Sequence, residues 1–120
     1  MRITGGIENE NDRLVQQWAS RQRSYISQST RNVVGHHYYS RHHKLLRWDL
    51  HNIVPLTYEE HTELHKGNLV VEIKNPFRKQ YLMNLLNKNY KDYLLENGLT
   101  DEEFARICNK KLKEKISEEL

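Results

Sequence analysis

Apolar and polar positions alternate in distinct ways along this chain. From about Asn11 to Arg23, Leu14, Val15, Trp18 and Ala19 fall on one helical face, with Arg13, Gln17, Arg21 and Gln22 around it. Trp18 reads as a core anchor. The preceding residues Met1–Asn9 are polar with Gly5-Gly6, which fits a frayed lead-in. Tyr25 to Gly35 is rich in β-formers with a polar middle, and it predicts a strand, a turn near Thr30–Asn32 and a second strand. A polar connector follows, Tyr38-Tyr39-Ser40-Arg41-His42-His43-Lys44. Leu45 to Leu50 then restores apolar residues, with Trp48 expected in the core, and Asn52 to Leu56 forms a short extended piece interrupted by Pro55.

Three further helices are signalled by their ends. Thr57 is an N-cap with Glu60 at N3, a capping box that starts a helix bearing His61 and His65, and Lys66-Gly67 stops it. Leu69 to Ile73 predicts a short strand. Asn75 caps a helix with Pro76 at N1 that runs to about Asn97. Phe77, Tyr81, Leu82, Leu85, Tyr90 and Leu94 lie near one face of it, and Gly98 terminates it. A second capping box, Thr100-Asp101-Glu102-Glu103, opens a helix that buries Phe104, Ile107, Cys108 and Ile116. The sum is an α+β fold in a single domain spanning residues 1–120, with a mixed core over 25–68 and a helical part over 75–120.

Charge adds an asymmetry. The formal charge is +3 and the pI is near 9.0. The stretch Met1–Leu50 carries most of the arginines against only Glu8, Glu10, Asp12 and Asp49, so a polyanionic partner is favoured, nucleic acid being the commonest. Cys108 is the single cysteine, which excludes an internal disulfide and a thiolate zinc knuckle within the chain. No run approaches the roughly 18 apolar residues of a membrane span, and no signal-peptide core opens the chain. A cytoplasmic protein is the expectation, with no membrane partner.

Candidate chemistry concentrates in one place, because all 7 histidines lie between Val34 and His65. His36-His37 end a β-branched run. His61 and His65, four apart on the predicted helix, share a face. These two can grip one metal ion, with a third ligand from the strand carrying His36-His37. A neighbouring histidine that is not a ligand is then available as a base.

Paired histidines, a loop, a middle asparagine and a helix with a further histidine give an order that resembles an HNH motif of the ββα-metal nucleases: His36-His37, Asn52, His61. The run Gly35-His36-His37-Tyr38, Leu46-Arg47-Trp48-Asp49, Asn52 and Gly67-Asn68 is similar to the NinG/Rap family of phage recombination nucleases, over roughly Tyr25 to Gly98. The chain departs from that family where it usually carries two Cys-x-x-Cys pairs. Tyr25-Ile26-Ser27-Gln28 and Thr57-Tyr58-Glu59-Glu60 stand there instead. Ordinary packing, with Tyr25 against the helix, is expected in place of a structural Cys-zinc site.

The resemblance implies roles. His37 is the general base. His36, His61 and His65 bind a divalent metal ion, with magnesium, manganese, nickel and zinc all open. Asn52 braces the loop and orients His37 through a backbone carbonyl. Arg41, Arg47 and Lys44 are candidates for phosphate contact, with a salt bridge to Asp49 or Glu60 an equal alternative for Arg47. His42 and His43 are expected to be solvated or phosphate-adjacent rather than ligands, His51 is expected at the surface, and Tyr38 and Tyr39 either stack on bases or place one ring in the core.

The implied activity is endonuclease cleavage of DNA, linear or branched, in phage recombination or DNA processing, with a homodimer suited to cutting both strands. Two rivals remain open: a non-catalytic nucleic-acid- or protein-binding module on a degenerate HNH scaffold, and a structural site closed by four histidines.

Overall fold

The computed structural model describes residues 5–119. In chain order it holds α1 (Gly5–Ser20), β1 (Val33–His37), a single 3-10 turn (Leu50–Asn52), β2 (Ile53–Thr57), α2 (Tyr58–His65), α3 (Pro76–Leu86), α4 (Tyr90–Asn97) and α5 (Asp101–Glu118). This is an α+β fold. The two strands pair antiparallel, with Val33 opposite Thr57, Gly35 opposite Pro55 and His37 opposite Ile53. Among the described residues no helix is long and apolar enough to cross a membrane.

β2 is buried along most of its length because it separates two apolar clusters. On one side Ile53 packs with Leu14, Val15 and Ala19 of α1, with Leu45 and Trp48, and with Phe104, Ala105, Leu112 and Ile116 of α5. On the other, Val54 and Leu56 pack with Leu46, Ile73 and Leu82. α1 and α5 are also pinned by a buried amide: Asn11 donates from Nδ2 to the carbonyl of Ala105 (3.0 Å) and accepts at Oδ1 from Asn109 (3.0 Å). α3 docks on the end of the loop before β2. There Arg78 donates to the carbonyls of His51 (2.7 Å) and Ile53 (3.0 Å), and the Tyr81 hydroxyl donates to Asp49 Oδ2 (2.5 Å).

Several elements differ from their sequence reading. α1 starts at Gly5 rather than near Asn11, since Ile7 and the buried Asn11 extend its packed face one turn earlier. The rest of the expected lead-in, residues 1–4, lies outside the described residues. Tyr25–Gln28 is a turn, not a strand. The Ser24 hydroxyl accepts from the N–H groups of Ile26 (3.1 Å) and Ser27 (3.2 Å), and Gln28 takes a left-handed φ of 64°, so local serine bonding wins over β propensity. β1 therefore pairs with β2.

Leu69–Ile73 forms no strand. It is tied down by the fully buried Ile73 while Val70 faces solvent. The predicted long helix from Asn75 to Asn97 is two helices, because Asn89 caps a new start, its Oδ1 accepting from Asp92 N at 3.1 Å. Three C-terminal helices stand where two were expected. On α5 the apolar face runs through Phe104, Ala105, Leu112 and Ile116, leaving Ile107 exposed and Cys108 half-buried. Both capping boxes, Pro76 at N1 and the left-handed Gly98 cap are as predicted.

Gly35 sits where β1 crosses α1, and a Cβ there would stand 2.9 Å from Ile53 Cγ2 and 3.0 Å from Ala19 Cβ. Gly35→Ala is expected to destabilise the protein by about 1–3 kcal/mol through overpacking. Urea unfolding checks it: an unchanged midpoint would mean that strand and helix do not meet this closely.

Candidate metal centre

β1 and α2 bring three imidazoles to one point. β1 presents His36 from the sheet, and α2 presents His61 and His65 one turn apart. Their nearest ring nitrogens all lie within 4.8 Å of one another. The Nε2 atoms of His61 and His65 are 3.0 Å apart, and the His36 ring centroid is 5.3 Å from that of His61 and 6.0 Å from that of His65. Two nitrogens on a tetrahedral zinc stand about 3.3 Å apart, given metal–nitrogen bonds of about 2.05 Å. His61 and His65 stand close to that spacing, and with His36 within 4.8 Å the three imidazoles form a candidate donor set for a cation. Burial, then the neighbouring His61, His65 and His37, push His36 down to about 4. Burial and His65 push His61 down as well.

His37 points elsewhere. Its Nε2 lies 2.9 Å from the carbonyl of Arg47. A carbonyl only accepts, so Nε2 carries the proton and Nδ1 is the acceptor nitrogen. Burial lowers the His37 pKa, the Arg47 carbonyl opposes this, and the charge of Arg41 adds to the lowering. His37 is thus neutral near pH 7.

The carbonyl that faces His37 is held by a polar frame. Asn52 is fully buried. It accepts from Tyr39 N (2.9 Å) and donates to the carbonyls of Tyr39 (3.0 Å) and Leu46 (3.2 Å), next to Arg47. The Arg47 side chain is gripped by α1. Its Nε and Nη2 donate to Asp12 at 3.0 and 2.6 Å, and its Nη1 meets Glu8 at 3.4 Å. Trp48 Nε1 donates to Asp12 at 2.9 Å. One turn along α1, Gln16 accepts from Gly35 N (2.8 Å) and donates to Gly35 O (3.1 Å), clamping the strand beside His36.

Arg47 is accordingly in a salt bridge, with Asp12 and Glu8 rather than with Asp49 or Glu60, and its guanidinium fork is occupied. Arg41 is exposed beside His37. Lys44 stands 5.3 Å from the Tyr90 ring centroid. Of the histidines outside the cluster, His51 is bonded to Asp49 (2.9 Å), and His43 is half-buried, its Nε2 on the Leu86 carbonyl (3.0 Å). Tyr38 and Tyr39 stack edge to face on each other and pack, half-buried, against the second apolar cluster. Burial pushes the Cys108 thiol up to about 11, so it is no nucleophile at neutral pH.

The segments at Tyr25–Gln28 and Thr57–Glu60 do come together, but through polar bonds. Ser24 Oγ donates to Glu60 Oε1 (2.5 Å), the carboxylate that also accepts from Thr57 N (2.8 Å). Tyr25 instead donates to the carbonyl of Glu72 (3.1 Å). Asp12, Glu8 and Gln16 escaped the sequence reading because their partners lie far along the chain. The one available signal was a run of polar side chains beside the apolar face of α1.

The depressed histidines set a pH window. Between about 4 and the ordinary value of 6.5, the unfolded chain binds a proton at His36 that the folded chain does not. Unfolding then takes up protons, so stability is full above pH 6.5 and falls as pH drops toward 4. His37 and His61 act in the same direction. In EDTA the urea midpoint is expected to be lower at pH 5 than at pH 7.5, with a smaller difference in His36→Asn. An equal midpoint at both pH values would contradict the burial of neutral imidazoles.

Comparison of the chain with protein-family models, with curated proteins and with solved structures gives no match.

Proposed function

We propose that the chain is a metal-dependent endonuclease of the HNH type, hydrolysing DNA phosphodiester bonds in phage recombination or DNA processing. One observation carries this reading. His36, His61 and His65 converge on a point, while His37, next in sequence, turns away to a backbone carbonyl and keeps one nitrogen as a proton acceptor. A closed four-histidine site is disfavoured by the same observation, since His37 is committed elsewhere.

His36, His61 and His65 would hold the divalent cation, whether magnesium, manganese, nickel or zinc. When bound, such an ion neutralises charge that develops on the phosphate and on the leaving oxygen. His37 Nδ1 takes a proton from water as the water oxygen bonds to phosphorus and the bond from phosphorus to the sugar oxygen breaks. The Arg47 carbonyl then stabilises the imidazolium that forms, the leaving sugar oxygen takes a proton from solvent, and His37 returns its own proton to solvent. Arg41, exposed next to His37, is the phosphate contact in this reading, with Lys44 further along the same loop. Arg47 acts through its carbonyl, and Asp12 positions it. A chain of this size covers a short piece of backbone, so cutting both strands calls for two copies.

Supercoiled plasmid tests the reading. Nicking is expected with at least one of magnesium, manganese, nickel or zinc, to be abolished by EDTA, and to fall about 10²–10⁴-fold in His37→Ala. No cleavage with any metal, by protein that still shifts DNA on a gel, would support the binding module instead.

Asp12→Asn isolates the positioning of the base. It is expected to lower the cleavage rate about 10–100-fold while metal affinity by calorimetry stays unchanged, because no ligand is touched. Nitrogen shifts of His37 by NMR should show a loss of the Nε2–H tautomer. If metal affinity falls in parallel, Asp12 serves the whole fold and not the base.

A further inference from the structure

We propose a second site on this chain, a groove between the loop 38–44 and the junction of α3 with α4 that binds the phosphate backbone of DNA through Lys44, Lys88 and Lys91. It deepens the nuclease reading, on which it rests for the identity of its polymer, by giving the path the substrate takes away from the histidine cluster.

The groove has a volume of about 630 Å³, and His42 and His43 line it beside the three lysines. Among the described residues Lys44, Lys88 and Lys91 enter no ion pair. Aromatic faces hold two of them instead: Lys44 lies 5.3 Å from the Tyr90 ring centroid, and Lys88 lies 5.8 Å from that of Tyr93. Cation–π contact fixes an ammonium group without neutralising it, so the charge stays available to an anion. The acid in the groove wall, Asp101, is already engaged by the Tyr90 hydroxyl at 2.6 Å. Three cations therefore face one carboxylate, which keeps its charge, and the groove retains an excess of positive charge.

Two structural features shape this surface. His43 donates from Nε2 to the Leu86 carbonyl at 3.0 Å, which ties the loop to the end of α3 and fixes one wall. α4 begins at Tyr90, so the positive end of its dipole lies in the other wall. Exposed donors spaced along an open groove suit a ligand with repeated phosphates better than a single enclosed anion.

The location suits the same ligand. His43 follows His37 by six residues, so extended chain bounds their separation at about 20 Å. A DNA strand advances about 3.4 Å per nucleotide. A backbone held at His37 therefore reaches the groove within about six nucleotides.

Fluorescence anisotropy with a labelled DNA duplex tests this, using the full chain in EDTA so that nothing is cut. The groove variant Lys88→Gln/Lys91→Gln is compared with Lys110→Gln/Lys113→Gln, which removes the same charge from α5. Binding is expected to weaken about tenfold or more in the groove variant and less than about twofold in the α5 variant. Between about 50 and 200 mM salt, the groove variant should show a log–log slope shallower by about two, one for each phosphate that is no longer neutralised. Equal weakening by both variants, or no binding by the wild type, overturns the groove. Binding through the groove without cleavage under any metal would leave the groove standing and remove the nuclease. Metal-dependent cleavage with undiminished binding by the groove variant would do the reverse.

Discussion

The amide of Asn52 is the constraint on which the site depends. It is fully buried, and its three hydrogen bonds all go to the main chain of the loop 38–52. Its own carbonyl accepts from Tyr38 N (2.9 Å), so both ends of the loop are drawn to one residue. An aspartate could accept but not donate, and an alanine would leave these backbone groups without partners, at about 1–3 kcal/mol for each one buried. With the loop closed, Leu45 and Trp48 enter one apolar cluster and Leu46 the other. Arg47, between them, is left with its carbonyl against His37.

α1 acts on that loop from outside. Asp12 and Gln16 are one turn apart, and they grip the Arg47 side chain and the Gly35 backbone respectively. One rigid helix thereby sets the base and a prospective metal ligand relative to each other, across the crossing that only a glycine at position 35 permits. α2 is held more lightly. It has no fully buried residue, and its place is fixed at its first turn by Thr57, Glu60 and Ser24. A ligand bridging His36 to His61 and His65 would thus tie this helix to the strand that α1 clamps.

What was legible in the sequence is what local chemistry decides. Thr57 and Thr100 with their glutamates, Pro76 after Asn75, and Gly98 each act within a turn of their own position, and each stands where it was read. The three gathered histidines were legible for a similar reason, a fixed helical spacing plus a strand end. Tyr25–Gln28 was not, because Ser24 bonds forward to backbone N–H groups and outweighs β propensity. Nor was the break before Asn89, where apolar periodicity continues across a capping residue. Asp12 and Arg47 are farthest from legibility: separately they look like solvated charges, and only the folded loop makes them a bidentate pair.

The histidine cluster also carries a chemical condition on its own occupancy. With Nε2 atoms 3.0 Å apart, His61 and His65 can share one hydrogen bond only if one of them carries its proton on Nε2. A cation needs lone pairs on both, so that proton must move to Nδ1 or leave. α2 lies at the surface, and His65 is exposed. Solvent can therefore accept the hydrogen bond of the new Nδ1–H. His36, His37 and His61 are half-buried, and burial favours the neutral ring in each, whereas His65 alone is exposed. His65, at the solvent edge, is thus the member of the cluster best placed to exchange its ring proton with water when a cation binds.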